Sequence, residues 1–474
     1  MLNINNIIFI WFILQNFLFF SIYNKYAYFE LINYTEKKLS LIPDNKFTYK
    51  DFINIIIDNI IYTKISIGEP KQNLIALINS EEYSYFIFKD ICTLNSYYNQ
   101  NISKAFNYND KEKTFFYNDY GKALYIKETI SLNINKKEKI INDFPIMFMN
   151  DPLNDELFNK RSSLNITGKT CFTIGLKFME NNGNKNAKNF ISVLNNENII
   201  DSNLLFIEYD ENGKEKNLIL GEYPECLDSK KYSIKNEFRT NIKIYNRFKA
   251  QWGLEFNKII SGDFSLDKKD VAFHHNLGVI YGTNEYRKFI HKNFFEHYIN
   301  LNICQKMDND IYLYYFCNKD KFEKEKINFP EIKMIKIEFG EEFILNYDDL
   351  FFTKGNNIYF LIIFHNLYNE IWELGKPFLK KYSFAYNFDS KIIHYYSKKN
   401  IYNENINKND NNKFENNFSS FPYIIIISFF IGIFFFFAGK IYYNKRKNNL
   451  LKAKELEENF SYYNNINKTK LIEE

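Results

Sequence analysis

This chain has little net charge, few cysteines and no compact set of metal-ligating residues. Each shortage removes a class of function. Its 61 Lys and Arg face 57 Asp and Glu, a net charge of +4 over 474 residues. The basic residues are dispersed, so they form no electrostatic footprint for nucleic acid. Five cysteines support an oxidising compartment only weakly. Cys304 and Cys317 are near enough in sequence to close a small loop, while Cys92, Cys171 and Cys226 leave at least one thiol over. No Cys/His spacing resembles a zinc site. His274, His275, His291 and His297 lack a compact ligand motif, so no metal or other cofactor is expected. Arg and Ala are scarce, whereas Lys, Asn, Ile, Phe and Tyr abound. That bias is the mark of A/T-rich codons, and it makes the 19% aromatic content a poor signal for ligand binding.

Long hydrophobic runs are also scarce, and two stand out. Ile7 to Ile22 is apolar apart from Gln15, Asn16 and Ser21, and Lys25 follows it. It is short for a spanning helix and fits the core of a secretory signal at 1–22, with an uncleaved anchor as the alternative. Phe421 to Tyr443 is uncharged up to Lys440 and long enough to cross a bilayer. Lys440, Lys445, Arg446 and Lys447 lie at its end and just beyond it. The positive-inside rule then places the tail at 444–474 in the cytosol. The expectation is a type I single-pass membrane protein of the secretory pathway or cell surface, with the bulk of the chain luminal or extracellular. Asn33, Asn101, Asn165 and Asn417 open Asn-x-Ser/Thr sequons in that part and are candidate glycosylation sites.

From Tyr62 to about Tyr396 the pattern is short apolar runs rich in Ile, Phe, Tyr and Val, broken by turn residues. That predicts an all-β fold. Asn189 to Ile199 and Glu285 to Tyr298 carry the clearest helical patterning. The stretch at 399–420 is Asn- and Lys-rich with few apolar residues, so it reads as a stalk that cannot bury a core.

The segment Tyr62 to Phe88 is YTKISIGEPKQNLIALINSEEYSYFIF. Ile67, Gly68, Pro70 and Gln72 form a turn between two strands, and Leu74 to Ile78 continue as the second. Cys171-Phe-Thr-Ile-Gly175-Leu, Asn217-Leu-Ile-Leu-Gly-Glu-Tyr, Gln251-Trp-Gly-Leu-Glu-Phe and Trp372-Glu-Leu-Gly375-Lys-Pro-Phe-Leu follow in order. Taken together these segments resemble the pepsin-like aspartic proteases from Tyr62 to about Tyr396. The resemblance implies a bilobal fold of two β-barrel-like lobes around a cleft, with lobes at 60–228 and 229–398 and a leader or pro-like segment at 23–59. It implies that Thr114 to Tyr117 opens a flap hairpin with Tyr117 over the cleft. It also implies a disulfide between Cys304 and Cys317.

An aspartic protease needs two facing carboxylates that share a proton, one as base toward water and the other as hydrogen-bond donor. The resemblance places the first at Asn79, in Asn79-Ser80-Glu81-Glu82. An amide cannot take up a proton at neutral pH. Glu81 and Glu82 are displaced along the loop and are expected to face solvent. The second loop lies in Val271 to Gly282. One alignment puts His274 at the acid position, and another, with a gap, puts Asn276 there. Neither is a carboxylate. The expected function is therefore a membrane-anchored aspartic protease homologue without catalysis, keeping a cleft of the kind that holds an extended peptide or protein by strand addition. The alternatives are an active aspartic endopeptidase with divergent loops, and a receptor or structural ectodomain.

Overall fold

A computed structural model of the chain describes residues 25–80, 82–88, 98–106, 115–117, 121–152, 172–177, 188–240, 252–309, 311–325, 329–366 and 370–398. At 115–117, 121 and 150–152 only the backbone is described. The segments at 7–22, 399–420 and 421–443, together with Glu81, Cys92, Asn165, Cys171 and Asn417, lie outside these residues.

The described chain is mostly β and forms two large sheets, one of 13 strands and one of 11. The local reason is alternation. In Gln72–Asn79 the side chains of Leu74, Ala76 and Ile78 point into the core, while Asn73 is exposed and Ile75, Leu77 and Asn79 are half-buried, the period-two pattern of a strand with one dry face. This strand pairs antiparallel with Ile61–Ile67, ending at Ile67 opposite Gln72. The turn between them explains its own residues. Gly68 adopts φ +92, a region that glycine reaches without steric cost. The Gln72 side chain accepts from Asn99 N at 2.7 Å and donates to Asn99 O at 3.0 Å, which fixes the turn to the neighbouring loop.

The 13-stranded sheet draws on distant parts of the chain. Its order runs Tyr232–Arg239, Ile392–Lys398, Ser383–Asn387, Leu204–Tyr209, Glu215–Leu220, Ala27–Asn33, Ile61–Ile67, Gln72–Asn79, Phe172–Gly175 and onward. A cut at residue 228 therefore separates strands of one sheet, because Tyr232–Arg239 and the last two strands join the first sheet. The 11-stranded sheet is built between Gly253 and Leu374. Ile78 of the first sheet and Phe273 and Trp372 of the second belong to one continuous apolar core. Chain up to Lys399 clusters as one compact unit.

Helices are more numerous than the apolar patterning implies. Phe190–Asn196 is a helix whose N-cap Asn189 accepts from Ile191 N and Ser192 N, the preferred capping chemistry. Asn284–Ile290, His291–Phe295 and Glu296–Asn300 run on as one helical stretch. Two further helical pieces, Tyr34–Leu41 and Phe52–Ile56, lie between the first strand and Ile61–Ile67. Among the described residues no helix is long and apolar enough to cross a membrane.

Cys304 and Cys317 face each other in paired strands and form a disulfide. Cys226 is free and exposed. Of the two sequons within the described residues, Asn101 is exposed. Asn33 is engaged: its amide donates to Glu215 Oε2 at 2.6 Å and Asn59 Oδ1 at 3.0 Å. A glycan on Asn33 Nδ2 takes one of its two N–H groups, so at least one of these bonds would be given up.

Candidate functional site at the meeting of two loops

Two loops, one from each sheet, are built on the same plan. In the first, Gln72–Asn79 runs parallel to Phe172–Gly175, with Asn79 opposite Gly175. In the second, Phe264–Phe273 runs parallel to Trp372–Leu374, with Phe273 opposite Leu374. The next pair in that register is His274 and Gly375, and His274 N donates to Leu374 O at 3.0 Å. Both glycines are obligatory for the same reason. A Cβ on Gly175 would strike the carbonyls of Glu82 and Ser84, and one on Gly375 would strike those of Leu277 and Val279. Glu82 lies three residues past Asn79, and Leu277 three past His274. The two independent registers agree, so His274 is the structural counterpart of Asn79. Asn276 is the counterpart of Glu81.

Asn276 nevertheless joins the loops. Its Oδ1 accepts from Ser80 N at 2.5 Å. Its Nδ2 donates to Ile78 O at 2.7 Å and to Asn59 O at 3.4 Å. One side chain thus satisfies backbone groups on either side of Asn79. An amide suits this task because it carries donor and acceptor together without charge. A carboxylate there could not donate to the Ile78 carbonyl.

The tip of the second loop is a turn in which Leu277 N donates to His274 O at 3.2 Å. His275 turns inward, 6% exposed, with its ring edge-on to Tyr386 at 5.4 Å between centroids. Among the described residues neither ring nitrogen has a hydrogen-bond partner. Burial, with His274 beside it, pushes the His275 pKa down to about 3, so the ring is neutral at ordinary pH. His274 is buried too. Its Nδ1 lies 3.8 Å from Glu373 Oε2, with side-chain exposures of 8% and 5%. That separation is too long for a hydrogen bond.

Glu82 was expected at the surface and is instead 6% exposed. The loop doubles back over Gly175 and encloses it. Glu82 Oε1 accepts from the neighbouring Tyr83 N at 3.2 Å, and its carbonyl accepts from Lys177 N at 2.9 Å. The flap candidate Tyr117 lies in Phe115–Tyr117, paired opposite Gly121. Its side chain lies outside the described residues.

A second polar cluster sits beside the loops and was not legible beforehand. The Glu215 side chain is fully buried. It accepts from Asn33 Nδ2 at 2.6 Å, from Asn59 Nδ2 at 2.8 Å and from Lys376 Nζ at 3.1 Å. Lys376 also reaches Glu36 Oε1 at 2.8 Å, and Asn59 Nδ2 donates to His275 O at 2.9 Å. Bonds of this kind offset the loss of water around a buried carboxyl group.

Chemically, the meeting point offers amides, backbone groups and a buried imidazole. Asn79 and His274 hold no carboxylate, so no proton can be shared between two acids at these positions. Among the described residues no group of three or more His, Cys, Asp or Glu could hold a metal ion. No family model matches the chain, and no curated protein matches it.

Proposed function

We propose that this chain is a non-hydrolytic homologue of the pepsin-like aspartic proteases, held in a secretory-pathway membrane by the segment at 421–443. The reading assigns the first sheet and its loop to one lobe and the second sheet and its loop to the other, with the cleft between them. One observation carries it. The two loops that share a parallel-strand-and-glycine plan meet through the Asn276 amide, and their equivalent positions are Asn79 and His274. The scaffold that would present two acids is kept and the acids are absent. An amide facing an imidazole is not a carboxylate pair that activates water by sharing one proton.

The experiment is direct. The purified full chain is incubated with denatured protein from pH 3 to pH 7, with and without pepstatin. No pepstatin-sensitive cleavage is expected at any pH, and cleavage that pepstatin blocks would overturn the reading.

A second reading is an endopeptidase with divergent loops. The buried His274 and Glu373 pair favours it, since an imidazole oriented by a carboxylate is the core of a general base. Against it stand the 3.8 Å separation and the side-chain exposures of 8% and 5%, which leave the pair little contact with any substrate. Cleavage that resists pepstatin and is lost in Glu373→Gln would select this second reading.

A further inference from the structure

The residues between the first strand and Ile61 lie directly on the second loop. We propose that residues 34–59 are a permanent occupant of that loop rather than a leader to be shed, and that they close its hydrogen-bonding edge to outside peptides. The inference rests on the reading of the two loops as a site.

The backbone contacts come first. Asp58 bridges Leu277 antiparallel. Gly278 N donates to Ile57 O at 2.8 Å, and Asn59 N donates to Asn276 O at 2.7 Å. This is how an extended peptide adds to an exposed edge, and here the peptide is the chain itself. Gly278 is shaped to the same contact, because a Cβ there would strike the Ile56 carbonyl.

Side chains then bury the segment. Phe52 is fully buried and stacks on Tyr359 at 4.7 Å and 10°. It also packs against Tyr314 at 5.3 Å, while Phe47 meets Tyr359 edge-on at 5.6 Å. These rings share an apolar cluster with Leu277 and Val279 of the loop.

The third layer is electrostatic. Asn33, Glu36 and Asn59 belong to the leader side, and they supply partners to Glu215 and Lys376. Shedding the whole leader up to Asn59 would strip the buried Glu215 of two amide donors, Asn33 and Asn59, and Lys376 of one carboxylate, Glu36. It would also leave the N–H of Gly278 without its acceptor and uncover the faces of Tyr314 and Tyr359. Buried groups deprived of partners in this way are strongly destabilising. A leader that can leave is held at a surface; this one completes the core.

The test uses the full chain purified from a secretory host. Its mature N-terminus is read by mass spectrometry, and amide hydrogen exchange is followed on the intact protein. The expected N-terminus lies ahead of Ala27. The amides of Asn59 and Gly278 are expected to exchange within about tenfold of those in the core strand Ile61–Ile67, as members of one cooperative unit do. In Phe52→Ala, exchange is expected to rise across Ile61–Ile67 and Gln72–Asn79 together with 52–59. A folded mature protein beginning after Asn59 would refute the inference. So would exchange at Asn59 and Gly278 about a hundredfold or more faster than in the core strand, or a Phe52→Ala effect confined to 48–59. Hydrolysis with both amides still protected would refute the functional reading alone. Fast exchange at these amides without hydrolysis would refute this inference alone.

Discussion

Acid should weaken this fold through His275. In the native state burial and His274 hold its pKa down to about 3 from the ordinary 6.5. The unfolded chain takes up a proton below about 6.5 while the native ring stays neutral. Stability that depends on proton uptake by the unfolded state falls as pH falls. This contribution is therefore complete above pH 6.5 and is lost progressively as pH drops toward 3. At pH 5 the loss is about 2 kcal/mol, the unfolded pKa lying about 1.5 units above the ambient pH at 1.36 kcal/mol per unit. At pH 3, where the native ring begins to take up its own proton, it is about 4 kcal/mol. The perturbation is His275→Phe, which keeps an aromatic ring against Tyr386 and removes two unpartnered nitrogens. Any packing cost of the larger ring is the same at both pH values and cancels in the difference. The assay is denaturant unfolding of wild type and variant at pH 7.5 and pH 5.0, followed by tryptophan fluorescence. Wild type should lose about 2 kcal/mol more than the variant between the two conditions. His365 and His394, both also pushed down by burial, act in the same direction but equally in both proteins. Equal losses in wild type and variant would refute the argument.

The remaining predictions concern the contacts that hold the loops. Asn276→Ala leaves Ser80 N and Ile78 O without their partner and should cost about 2 kcal/mol, read as a lower denaturation midpoint. Asn276→Asp should cost at least as much, because its second carboxylate oxygen would face the Ile78 carbonyl oxygen where a donor is needed. Glu215→Gln places an amide N–H among Asn33, Asn59 and Lys376, all donors, and should cost about 3 kcal/mol in thermal unfolding. Replacing Cys304 and Cys317 together by serine opens a loop with a sequence separation of 13 and should lower stability by about 3 kcal/mol. An unchanged melting temperature would refute that estimate. Asn79→Asp restores one acid of a pair that needs two, so protein digestion between pH 3 and pH 7 should stay at the wild-type level.

Much of the fold is written locally. The alternation of Leu74, Ala76 and Ile78, the Gly68 turn and the Asn189 cap each follow from side-chain chemistry within a few residues. The loss of the acid at Asn79 is equally plain, since no arrangement of the backbone turns an amide into a base. The second loop was different. His274 and Asn276 were both admissible at the acid position because a short polar loop can be aligned with or without a gap. Register decided for His274, counted from Gly375 about a hundred residues away. Asn276 then proved to be the clamp, through a contact with Ser80 across 196 residues.

Burial was the other quantity the sequence could not supply. Glu82 reads as an ordinary surface charge, yet it is buried, because what encloses it comes from strands remote in the chain. The segment at 34–59, within the leader expected at 23–59, is the largest case. Its apolar residues, Phe52 and Ile55 to Ile57 above all, do not say what they pack against. Only the folded chain shows Phe52 against Tyr359 and Ile57 against Gly278. Periodicity, turn geometry and the chemistry of a missing carboxylate are properties of neighbouring residues, so the sequence alone determined them. Which polar group pairs with which, and which segment fills whose edge, depends on hydrogen bonds between residues far apart in the chain, and the tertiary structure alone decided those.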